Sequence, residues 1–261
     1  MNIAFHAGVS GLRAHQYGID VIAHNIANVN TYGFKSDKAE FRDLMYTRMD
    51  VNTNYTGERP TGRELLVGHG VKLYSLDLRF DQGSFHTTGQ KLDFALAGEG
   101  LFAVDRNGRV EYTRNGAFNI SVEDDGNYLV AADGAYVLDR NRERMRIIYD
   151  ENTGEIDSEA IADRLGVFAF DNPWGLHKID AVSFLPTDIS GEPRLAFEIG
   201  LNGQLEAKYQ VYTNALEHSN TNIAEEMSDL IVSQKAYQFS ARVVTTADEL
   251  EQIVNNLRRG G

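Results

Sequence analysis

Residues 3–35, IAFHAGVSGLRAHQYGIDVIAHNIANVNTYGFK, carry Phe5, Leu12, Ile19, Ile22, Ile26 and Val29 on one alternating three-four register that begins at Met1, with Gly8 and His15 in the intervening places. That period is helical, and a stripe only about two sevenths of the helix surface wide is too narrow to face a globular core. Such a helix seeks another helix. The opposite end of the chain answers with Ile223, Met227, Leu230, Tyr237, Ala241 and Val244 on the same register. After one shortened step that stripe resumes through Ala247, Leu250, Val254 and Leu257. Neither stripe has a visible core of its own, so the chain reads as a subunit made to assemble.

Working inward, the first helix is proline-free from about residue 3 to Asn28, roughly 35 to 40 Å at 1.5 Å per residue. It stops at Asn28-Val29-Asn30-Thr31-Tyr32-Gly33, where asparagine and glycine accept a left-handed backbone. The following stretch, through Pro60-Thr61-Gly62, is polar and turn-rich and reads as an extended arm with a mobile loop. Near Val71 the texture changes to short apolar runs separated by Gln82-Gly83, Asn107-Gly108, Asn115-Gly116, Asp125-Gly126 and Asp133-Gly134. These dipeptides supply the positive φ angles of tight hairpins, so a meandering β domain is predicted, with a helical pattern returning only near Asn220. The fold class expected is α+β. Its parts are a discontinuous helical assembly domain of residues 1–36 and 215–261, an arm and loop over 37–75, and a mainly antiparallel β domain over 76–214.

Composition excludes several function classes. The formal net charge of −13 argues against a grip on nucleic-acid phosphates and against an anionic membrane face. With no cysteine, disulfides, thiolate catalysis and cysteine-bound metals are ruled out. The first residues lack the basic start and apolar run of a cleavable signal, and no stretch is long enough to span a bilayer, so no membrane insertion is expected.

Candidate chemistry is sparse. Gly98-Glu99-Gly100-Leu101-Phe102-Ala103 fits a dinucleotide fingerprint and makes an oxidoreductase using Gly98, Gly100 and Ala103 the rival reading. The fingerprint requires a helix to begin there, and the following residues have strand texture instead, which favours a turn. His6, His15 and His24 lie nine residues apart, on opposite sides of a helix, and cannot share a metal. Ser121 stands where a calcium loop around Glu123-Asp124-Asp125 needs its first aspartate. No catalytic, cofactor or metal residue emerges. Arg140, Arg142, Arg144 and Arg146 alternate with other residues, which on a strand puts four guanidinium groups on one face. That face is either simply solvated or an acceptor for a neighbouring copy's carboxylates.

Three blocks resemble the bacterial flagellar rod and hook protein family. Ala27 to Lys35 after a heptad helix is similar to its N-terminal signature, Leu92 to Phe102 with Tyr112 to Phe118 to its first β-domain motif, and Leu216 to Leu250 to its C-terminal helix. Length favours a rod subunit over the hook protein. The Pro60 to Val71 segment resembles the arm of distal rod members, while Gln204 to Gln210 departs from the expected glycine-tyrosine phrase and keeps proximal-rod and hook-like members open. The resemblance implies a non-enzymatic structural subunit without cofactor, located in the periplasmic rod of the basal body. Its implied partners are other copies, neighbouring rod, hook and ring proteins, and the type III export apparatus, which exports it uncleaved. It also implies that Asn28, Asn30, Thr31, Gly33, Phe34 and Lys35 form the bend between helix and outer domain, with Gly33 allowing the turn and Phe34 anchoring it.

Overall fold

The computed structural model describes residues 3–49, 65–149, 154–199, 205–207 and 209–259; Met1 of the first stripe, residues 50–64 of the expected loop, and Gln204 and Lys208 of the Gln204 to Gln210 approach lie outside them. Helices at both ends, α1 (Ile3–Ala27) and α3 (Ile223–Arg259), flank a central β domain. Every strand pair whose register is described is antiparallel. A short α2 (Ser158–Arg164) interrupts the strands. The sequence reading, which placed no helix between Asn28 and Asn220, passed over it. Its signal was local: Asp157 accepts from the N–H groups of Glu159 and Ala160 at 3.1 and 3.0 Å, and the turn buries Ile161.

The chain divides into two compact units, one of residues 1–24, 37–77 and 223–261, the other of residues 25–36 and 78–222. These boundaries differ from the sequence expectation of a separate arm and a helical part reaching to 36 and from 215. The arm belongs with the helices. Residues 25–36 and 215–222 belong with the β domain because they hydrogen-bond into it: Gly33 N–H donates to the Glu217 carbonyl at 2.8 Å, and Ala215 to Glu217 pair with Phe85 to Thr87.

In the first unit α1 and α3 run antiparallel. A Cβ at Gly8 would lie 2.8 Å from Val244 Cγ2, and one at Gly11 would lie 3.0 Å from Ser240 Oγ, so the absence of side chains lets the helices close up. The buried places of α1 within this unit are small residues, Gly8 on the apolar stripe and Gly11, Ala14 and Gly18 beside it. The arm is a β ribbon. Asp37–Asp43 pairs with Val71–Leu78, and Tyr46–Met49 pairs with Leu65–Gly68, with Tyr46 opposite Gly68. Phe41 on this ribbon brings its ring 6.3 Å from that of His15.

The second unit is built around the strand Leu101–Arg106, whose apolar run Leu-Phe-Ala-Val is buried on both faces. Phe102 and Val104 join Phe94, Leu96, Leu129, Val137 and Leu165 in one core, while Leu101 and Ala103 join Tyr112, Phe168 and Phe184 in another. One edge of this strand pairs with Arg109–Thr113 through a two-residue turn in which Asn107 and Gly108 both have positive φ, 55° and 85°. The other edge is shared by Tyr136–Val137 and Val167–Ala169.

Candidate functional site: the joint and the helix faces

The joint follows directly from the end of α1. Asn28 and Val29 close the last turn on the carbonyls of Asn25 and Ile26, and Thr31 Oγ1 donates to Asn28 Oδ1 at 3.2 Å, while Asn30 faces solvent. Gly33 then adopts φ +71°, and a Cβ there would lie 2.4 Å from the Asn115 backbone nitrogen, so any side chain is excluded on two counts. Phe34 is fully buried, with the Lys178 ammonium 4.4 Å above its ring.

Next to it lies a group of buried charges that the sequence did not reveal. Lys35 Nζ sits 2.7 Å from Glu217 Oε1 and donates to the Asp81 carbonyl at 2.8 Å. Glu217 also accepts from Arg114 Nε at 2.6 Å and from the Gly83 N–H at 2.9 Å. The three charged side chains are at most 6% exposed. Burial pushes the Lys35 ammonium below its ordinary pKa, and Glu217 opposes that shift. Asn220 completes the closure, accepting from the Ser36 N–H at 2.8 Å and donating to the Arg79 carbonyl at 2.6 Å. Both segments that leave for the helices are thus tied to the β domain within a few residues of their exits.

Arg114 also settles what the glycine motif does. Its guanidinium donates to the carbonyls of Leu96 at 2.9 Å and Gly98 at 2.7 Å, and to that of Gly100. The loop therefore turns carbonyl oxygens inward around a cation, the reverse of the N–H cradle that a pyrophosphate needs. A strand, Leu101–Arg106, follows it. The neighbouring cavity between Phe80, Leu101, Phe168 and Phe170 measures about 80 Å³, far below the roughly 300 Å³ at which small-molecule sites begin.

The arginine series does not lie along one strand, as its alternation predicted. Asp139 folds the chain into a turn, its Oδ1 accepting from the N–H groups of Asn141 and Glu143, and Arg142 takes φ +64° at the tip. Arg142, Arg144 and Arg146 line one open groove, with Arg144 stacked 4.1 Å over the Tyr136 ring and Arg146 3.3 Å from Asp125. Arg140 lies outside that groove and is hydrogen-bonded to Tyr209.

On the helices, the sequence-predicted stripes are only partly covered. Leu12, Ile19, Ile22, Ile26 and Val29 are half-buried and Phe5 is exposed. Leu230, Ala241 and Val244 are half-buried, but Ile223, Met227, Tyr237, Leu250, Val254 and Leu257 are exposed. The shortened step at Val244 to Ala247 is where the stripe leaves the side facing α1. Beyond it Leu250 and Leu257 occupy a different side of the helix, together with Val232, Phe239, Val243 and Ile253, which the sequence reading did not single out, while Val254, seven residues after Ala247, stays on the side of Ala247.

Residues 5–35 match the family described as flagella basal body rod protein, residues 95–162 the flagellar hook protein FlgE/F/G D1 domain, and residues 212–257 the flagellar basal body rod FlgEFG protein C-terminal family. Lys35, Arg114 and Glu217 come one from each match. Flagellar basal-body rod protein FlgG of Borreliella burgdorferi is 35% identical over 98% of this chain and 98% of its own length. FlgG of Bacillus subtilis is 30% identical over 98% and 99%, and that of Agrobacterium fabrum 34% identical over 97% and 98%. With both end helices, the β domain and the joint all falling inside this likeness, the chain belongs to the flagellar basal-body rod proteins, as a structural rod subunit of the basal body similar to FlgG along nearly its whole length.

Proposed function

We propose that this chain polymerises through its terminal helices into the tube of the distal rod and transmits torque along it, with no catalytic role. The observation that supports this reading most is the state of α3: of its 37 residues only Ala247 is buried, although apolar side chains recur along its whole length. A helix with so little covered area gains its stability from partners outside the chain. The joint fits the mechanical part of the role. Buried, fully partnered charges fix geometry more than they add stability, so Lys35, Arg114 and Glu217 hold the exits of both helices at a set place on the β domain. Neighbouring rod, hook and ring proteins and the type III export apparatus complete the partners of this reading. No helix among the described residues is long and apolar enough to cross a membrane, which accords with export without insertion.

The test compares the full chain with one ending at Asn222, by electron microscopy and sedimentation. The full chain is expected to form particles that lengthen with concentration, and the shortened one to stay monomeric with its β-sheet circular dichroism intact. Growth of the shortened chain would refute polymerisation through the helices.

A further inference from the structure

We propose that His86 and His218 form a binding site for a divalent transition-metal ion, close to the point where the chain leaves the β domain for α3.

The pairing of two short strands builds the site. Ala215 to Glu217 run antiparallel to Phe85 to Thr87, with Leu216 opposite His86 and Glu217 opposite Phe85. The His218 N–H donates to the Ser84 carbonyl at 2.8 Å, which carries the register one residue further. Successive side chains of a strand take opposite faces, so Glu217 reaches Lys35 and Arg114 while His218 belongs to the other face. There it is the diagonal neighbour of His86, near enough for long side chains to meet. The two imidazole rings lie 5.4 Å apart between centroids, with their planes 76° apart, so they are not stacked face to face. Tyr32, in the joint, brings its ring 5.1 Å from that of His218 and 6.5 Å from that of His86. Three segments thus meet in one cluster: the stop after α1, the strand Phe85–Thr87 and the exit toward α3.

The spacing suits shared coordination. An ion about 2.0 to 2.1 Å from a ring nitrogen lies about 3 Å from the centroid of that ring, and a tetrahedral angle between two such ligands puts the centroids about 5 Å apart. The observed 5.4 Å is close to that value, so both imidazoles can reach one ion with little movement. His86 is exposed and His218 half-buried, which leaves an entry path from solvent, while the Tyr32 ring packs against both.

The donor set fixes the class of ion. Two imidazoles select zinc, nickel or copper over magnesium and calcium, which take oxygen ligands. Among the described residues no group of three or more His, Cys, Asp or Glu side chains is placed to hold a metal, so the chain supplies two ligands and water the remainder. Such a site is open and exchangeable, unlike the closed four-ligand sites on which zinc folds depend. A bound ion bridges the strand Phe85–Thr87 to the residue after Glu217, and so fastens the root of α3 a few residues before it begins at Ile223.

The test uses the dissociated full chain. Calorimetric titration with Zn2+ is expected to show binding that His86→Ala and His218→Ala each weaken at least tenfold, with Mg2+ giving no binding heat. No Zn2+ binding by the parent chain, or equal affinity in the parent and both variants, would overturn the proposal. Should a variant lose its circular dichroism, the parent chain decides through Cu2+ broadening of its histidine ring NMR signals. His86 and His218 are expected to broaden before the other five histidines. Even broadening across all seven, or another histidine broadening first, would overturn the site.

Discussion

The strand Leu101–Arg106 and the helix α3 are both rich in apolar side chains, yet the strand has Leu101 to Val104 buried in sequence and the helix has one buried residue in 37. The difference lies in dimensionality. A strand in the middle of a sheet collects neighbours on two edges and two faces of the same chain, so its burial is complete within one molecule. A lone helix with narrow stripes needs one partner helix per stripe, and the described residues supply one partner, α1, that is twelve residues shorter than α3. The β domain covers its apolar strands within one molecule. On the polymer reading proposed above, the exposed apolar side chains of α3 are covered on assembly.

That contrast can be broken most severely at the joint, where the β domain takes hold of the segments leading to the helices. Glu217→Gln leaves Lys35 and Arg114 charged, buried and facing an uncharged amide, and is expected to lower the unfolding free energy of the β domain by about 3 to 5 kcal/mol in denaturant titration. A loss below about 1 kcal/mol would mean the three groups are not a unit. A smaller effect is expected from Gly33→Ala, where a left-handed backbone and a contact with the Asn115 backbone act together; about 2 to 3 kcal/mol of destabilisation is predicted by the same measurement. At the other extreme Leu257→Ala, on the 73% exposed end of α3, is expected to shift the stability of the dissociated chain by no more than about 0.5 kcal/mol. A large loss there would show that α3 is already buried in the monomer and would erase the difference between the two regions.

How far each region could be read from the sequence follows from the same physics. The α1 stripe, the stop at Asn28 to Gly33 and the Asn107-Gly108 hairpin were legible because each depends on side-chain spacing or backbone preference within a few residues. For Gly33 and Phe34 the resemblance alone implied turn and anchor; Gly33 takes φ +71° and Phe34 is buried. Glu217 was not: a lone glutamate between Leu216 and His218 gives no hint that its partners stand 182 and 103 residues away. The arginine series misled because alternation was read as a strand, while Asp139 offered the backbone a side-chain cap that favoured a turn. Short α2 was hidden for a related reason, since seven residues are too few to display a helical period.

Taken alone, the order of residues decided that both ends are helices with slender apolar stripes, that the middle is a hairpin-rich β domain, and that cysteine chemistry is absent. Those properties depend on neighbours at most a turn or two away. Only the folded chain decided which side of each stripe its own partner covers, how far α3 outruns α1, and that Lys35, Arg114 and Glu217 share one buried site. Such facts arise from the sharing of a limited set of faces and charges among distant segments, and that sharing is fixed by three-dimensional packing, which no local pattern encodes.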